Sequence, residues 1–131
     1  MKRSLGSEVG QSVVEYALGL SLSLLLIMGA VDFGRAFFLF NLVASTAREG
    51  ARYATIGSRT SGAIVTYAQQ QAGISGLTVT VVSRGTAGVP ASPVVIEVST
   101  TFSPITPLIG AICCSGGPLL LAARSSMFVE Q

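Results

Sequence analysis

The sequence predicts an α+β fold: a long amino-terminal helix, membrane-spanning in its first half, whose second half packs on a small antiparallel sheet, with one short helix besides. Three observations predict it. A proline-free stretch from Gln11 to Ala54 carries apolar residues at helical spacing. Inside it, Ala17 to Val31 holds no charge. Beyond it, three runs alternate apolar and polar residues between Gly- and Pro-rich breaks.

The helical seam runs through Leu26, Ala30, Phe33, Phe37, Phe40, Ala44, Ala47, Ala51 and Ala54, in alternating steps of four and three. Its first part is bulky and its last part is alanine. Alanine lets another backbone approach closely, so the last part is expected to dock on the rest of the chain. The boundaries that follow are residues 1–10 as a leader, 11–57 as the long helix with its membrane part at about 13–31, and 58–131 as a head domain.

Lys2 and Arg3 are expected to hold the leader on the cytoplasmic side, with the head outside. No small-residue cleavage site follows the apolar run, because Asp32, Phe33 and Arg35 come next, so the run is expected to stay in the mature chain. Ala17 to Val31 supplies fifteen residues, whereas a full crossing takes about 20. Reaching back to Val13 places Glu15 at the bilayer edge. Two readings of Glu15 stand side by side: an anion near a helix start that reaches the headgroups, or a partner for a positive group in another subunit.

In the head, Gly57 to Gly62 reads as a connector and Ala63 to Ala72 as a short helix ended by Gly73. Leu77–Ser83, Val94–Phe102 and Leu119–Val129 read as strands. Arg84 to Pro93 reads as a loop, and so does Leu108 to Pro118, which carries Cys113 and Cys114. A three-stranded sheet needs a cover for its apolar face, and the second half of the long helix is expected to supply it.

Only 11% of residues are charged, against ~25% in soluble domains, and the deficit lies in the first helix. The net charge of +2 is too small, and the arginines too scattered, to suggest a nucleic-acid surface, and no nucleic-acid partner is expected. The chain has no histidine, no paired-acid site and no phosphate loop, so neither an enzyme nor a cofactor is expected. Cysteine spacing offers no zinc site. Asp32 and Arg35 stand one turn apart and are expected to pair locally. Glu49 and Arg52 have the same spacing, which leaves Arg48 to find an outside acid or a strand-end carbonyl, and the three are expected to fix the helix to the sheet rather than to act in catalysis. Tyr53 reads as a core or interface residue. The adjacent cysteines leave three options: a strained loop clasp, two free thiols, or links between chains.

Gly10-Gln11-Ser12-Val13-Val14-Glu15-Tyr16 resembles the processing site of type IV prepilins, especially the Flp/Tad branch. Val31-Asp32-Phe33-Gly34-Arg35-Ala36-Phe37 and Ala47-Arg48-Glu49-Gly50-Ala51-Arg52-Tyr53-Ala54 look like the TadE-like family of minor pilins and pseudopilins, as do Phe102-Ser103-Pro104 and Leu121 to Met127. The resemblance implies a pilin-like fold and a single-pass protein of the bacterial inner membrane, incorporated in a surface pilus in some cases. It implies removal of the leader after Gly10 by a prepilin peptidase, a role in adhesion, and assembly with other pilin or pseudopilin subunits and the pilus machinery. Glu15 and Tyr16 would act in that assembly. The alternative is a single-pass interaction subunit of a larger membrane complex that keeps its leader.

Overall fold

The structure is a computed structural model that describes residues 6–56, 59–86 and 92–129. Lys2 and Arg3 of the leader, and Gly88 and Pro90 of the first long loop, lie outside the described residues.

Helix α1 spans Gly6–Thr55, 50 residues in one element, roughly 75 Å at 1.5 Å per residue. It starts before the expected Gln11. Its length follows from the absence of proline and of any cap or breaker pair along the way. The first part stands away from the other elements: Val13 to Met28 is exposed throughout. From Asp32 onward one face is progressively covered, and Val43, Thr46, Ala47, Gly50, Ala51 and Ala54 are buried.

The alanine part of the seam, which was expected to dock, is the part that is covered, and the bulky part stays bare. Ala47, Ala51 and Ala54 are buried and Ala44 is half-buried, but Leu26, Ala30, Phe33, Phe37 and Phe40 face outward. The position turned inward at that level is Asp32, only 2% exposed. Apolar periodicity marks the side away from water. In a helix that leaves a membrane, that side need not be the protein core.

Helix α2 spans Ser61–Ala72. Thr60 caps its start, accepting the Ala63 N–H at 3.3 Å on Oγ1, and Gly73 ends it in the left-handed region at φ 65°. Ile64, Ala68 and Ala72 form its buried stripe. Strands β1 (Thr78–Arg84), β2 (Val94–Phe102) and β3 (Leu119–Met127) form an antiparallel sheet in the order β1-β2-β3. Val98 lies opposite Val79 on one side and Ala123 on the other, and Phe102 lies opposite Leu119. The register slips between Val81 and Ser83, leaving Val82 as the extra residue of a bulge.

Helix α1 lies over β2 and β3, and α2 lies over β1 against α1. Helix α1 crosses α2 and the sheet closely at Gly50. A Cβ there would sit 3.4 Å from both Ala68 Cβ and Ile96 Cδ1. Ile96, Val98 and Val94 of β2 fill the middle of the core beneath it.

One element was not expected. Leu108 to Pro118, read as a loop, holds all but the first residue of α3, Pro107–Cys114. The breakers that argued for a loop sit at its ends: Pro107 opens the helix, where its missing N–H costs nothing, and Ser115, Gly116 and Gly117 close it. Ser115 takes a left-handed conformation at φ 49°, and the Gly116 N–H reaches the Gly110 carbonyl at 2.9 Å.

Candidate functional site

The residues singled out by the sequence fall into four places. The first is the free end of α1. Gly10, Gln11, Glu15 and Tyr16 are all exposed there. Gly10 and Gln11 lie within the helix, and a Cβ at Gly10 would meet nothing within 4 Å. Farther along, Ser21 and Ser23 turn their hydroxyls back to the carbonyls of Ala17 and Gly19, at 2.8 Å each. This internal satisfaction is what a serine in lipid requires.

The second place is the junction of α1 with the head, and here the structure adds most. Asp32 is joined to Arg35 through Oδ1 and Nη1 at 3.3 Å, the local pair anticipated from their spacing. Its larger commitment is distant in sequence. The Ile105 N–H donates to Oδ1 at 3.0 Å and the Thr106 N–H donates to Oδ2 at 2.8 Å. Thr106 is the cap residue of α3 and makes no side-chain capping bond of its own. The Asp32 carboxylate holds the two N–H groups that lead into Pro107, the first residue of α3, at the end where the helix dipole favours an anion. Arg35 then spans from Asp32 to the ring of Phe102, with its guanidinium carbon 5.6 Å from the centroid. Beside them Ile109 of α3 meets α1 at Gly29, where an added Cβ would stand 3.3 Å from Ile109 Cδ1. The sequence carried one signal of this junction: an acid at the end of an apolar run, with no lysine or arginine near enough to neutralise it except Arg35. Phe33 takes no part. It is 73% exposed and stacks on Phe37 with centroids 6.4 Å apart.

The third place is the outer side of α1 over the sheet. Arg48, Glu49 and Arg52 are exposed, and among the described residues no ion pair joins Glu49 to Arg52. They do not anchor the helix to the sheet as expected. With Ala47, Gly50, Ala51 and Ala54 inward, the helical period turns these three toward solvent. Small side chains and a glycine make the contact instead. The ion pair of the sheet itself joins Arg124 to Glu97, which face each other on β3 and β2. Tyr53 is half-buried and stacks on Tyr67 at 4.0 Å between centroids. The Arg59 guanidinium covers its other face and donates to its Oη at 2.7 Å. The Arg84 side chain in turn donates to the Arg59 carbonyl at 3.0 Å, tying the connector to β1.

The fourth place is the end of α3, where Cys113 and Cys114 are bonded to each other, with Cα atoms 3.8 Å apart. Among the three options left by the sequence, this is the loop clasp.

Comparison with known families bears on the first two places and part of the third. Residues 10–52 match the family model of TadE-like protein. The TadE-like match begins at Gly10, passes through Glu15, Asp32 and Arg35, and ends at Arg52. It covers about a third of the chain, nearly all of α1, and stops before the head. The chain matches no curated protein and no solved structure. The TadE-like match suggests a pilin-like protein associated with the Tad pilus, and with it a membrane association and pilus-related partners. Helix α1 fits such a protein: Gly10–Thr55 is long and apolar enough to cross a membrane.

Proposed function

We propose that the protein is a TadE-like pseudopilin: a single-pass structural and assembly subunit of a tight-adherence type IV pilus, cleaved between Gly10 and Gln11 by a prepilin peptidase. The observation that carries this reading is the TadE-like match along α1, on a helix whose first part is bare and apolar and whose second part is built into the head. A helix of that kind has two surfaces to offer, one to lipid and neighbouring subunits and one to its own sheet.

The chemistry follows from the residues. Hydrolysis of the Gly10–Gln11 amide releases the leader with its carboxylate at Gly10 and leaves a new amine at Gln11. The bond lies in helical backbone, so the peptidase must open the first turns of α1. Gly10 eases that opening, since glycine adopts extended backbone freely and gains least from the helix. In a packed assembly the Glu15 carboxylate would meet the Gln11 amine of a neighbour. Such a pair in a poorly hydrated setting fixes register more than it adds stability.

Amino-terminal sequencing and intact mass of the protein from native membranes test this. A chain beginning at Gln11 is expected, and Gly10→Leu should preserve the full-length form. A native chain that retains residues 1–10 would refute processing. It would favour the interaction-subunit reading, which the uninterrupted course of α1 from Gly6 through Gln11 also suits.

A further inference from the structure

We propose that α3 and its flanking turns form an apolar foot immersed in the head-side leaflet of the membrane, and that the bilayer surface reaches α1 near Phe37 rather than at Val31. The inference rests on the reading of α1 as a membrane anchor and adds a second membrane-embedded element.

The uncharged run Ala17 to Val31 is about 22 Å long as a helix, short of the roughly 30 Å hydrocarbon core. Asp32 ends the run in sequence but not in space. It is 2% exposed, and its oxygens are occupied by two backbone N–H groups and Arg35. With that carboxylate covered, the outward surface of α1 continues apolar through Val31, Phe33, Phe37, Phe38 and Phe40. About 20 residues counted from Ala17 end at Ala36. The exposed phenylalanines that follow, Phe37, Phe38 and Phe40, keep the surface of α1 apolar up to that level.

A surface at that height leaves α3 below it. Thr106 is held at Asp32 and Ile109 at Gly29, so the start of α3 lies roughly 8–12 Å below that level, close to the depth that an interfacial helix reaches. Its composition suits that depth. No charged residue occurs between Glu97 and Arg124, and α1 holds only Asp32 and Arg35 between Glu15 and Arg48. Ile105 and Ile112 are exposed, Ile112 at 78%. The turn after α3 bonds its own backbone, with the Gly117 N–H reaching the Cys114 carbonyl at 2.9 Å. Arg35, the other charge near this level, is paired with Asp32. Lipid is the occupant because the exposed face of α3 is continuous with the exposed face of the anchoring helix, at the same level.

The chain contains no tryptophan, so single reporters can be placed in the full-length protein. Leu26→Trp, Ile112→Trp and Phe128→Trp all replace exposed side chains. Each is loaded at one copy per lipid nanodisc and read with lipids spin-labelled at a shallow or a deep acyl position. Roughly twofold or greater quenching of the Ile112 reporter by the shallow label is expected, with Leu26 quenched best by the deep label and Phe128 by neither. If Leu26 is quenched and Ile112 behaves like Phe128, the foot is refuted and the anchor stands. If Leu26 is not quenched, anchor and foot fall together. Quenching of Phe128 to the same extent as Ile112 would mean that the whole head lies on the bilayer, which also overturns the proposal. So would an Ile112 reporter shielded only when several copies share a disc, since a second copy would then be its cover.

Discussion

Replacing Ala51 by leucine tests the central contact of the head. Ala51 is 0% exposed, one residue from the Gly50 crossing where Ala68 and Ile96 already stand at contact distance. Leucine adds three carbon atoms at a place with no room for them. The helix cannot move outward without uncovering Val98 and Ile96, which are fully buried beneath it. Overpacking of this kind costs about 1–3 kcal/mol. For a head of this size the loss corresponds to a midpoint lowered by about 4–8 °C per kcal/mol. Arg48→Leu is the matched reference: it is exposed on the same helix, and arginine and leucine have nearly equal helix propensity. Its effect should stay within roughly 0.5 kcal/mol. Ser45 would be a poorer reference, being half-buried with its hydroxyl on the Leu42 carbonyl. Thermal unfolding of the full chain in nanodiscs can be followed by near-ultraviolet circular dichroism of the Tyr53–Tyr67 stack. Equal midpoints for Ala51→Leu and Arg48→Leu would refute the packing argument and mean that α1 projects free of the sheet.

Asp32→Ala should release the start of α3: hydrogen exchange at the Ile105 and Thr106 amides accelerates while Val79 and Ile96 in the sheet keep their protection, and Asp32→Asn, which keeps one carbonyl oxygen, falls between. Uniform acceleration across both regions would mean that Asp32 supports the whole head. For topology, a cysteine at Gln131 in a background lacking Cys113 and Cys114 should react with an impermeant thiol reagent on intact spheroplasts; labelling only after lysis would reverse the proposed orientation.

Strand β2 was legible to the residue because Val94, Ile96, Val98 and Thr100 alternate strictly and prolines stand beyond both ends. Helix α2 was legible through Ile64, Ala68 and the Gly73 stop. Helix α3 was hidden, since eight residues flanked by prolines and glycines carry too little periodicity to separate helix from loop. Of the site, the motif residues of α1 could be named from sequence, but not their surroundings. Arg48, Glu49 and Arg52 were placed against the sheet because charges invite partners, whereas a close helix–sheet contact needs small residues and leaves charges to water.

The sequence by itself determined the elements whose cause is local: a long helix without breakers, a run too apolar for water, three alternating strands and the amino-terminal motif. Only the tertiary structure decided which way α1 faces. Periodicity gives a helix its stripes without saying which medium each stripe meets, and here the phenylalanine stripe is bare while an aspartate is buried. That choice depends on two N–H groups more than seventy residues away in the chain, at Ile105 and Thr106. A carboxylate buried among hydrogen-bond donors is stable where the same carboxylate alone in an apolar setting is not, and no local reading of Asp32 contains those donors.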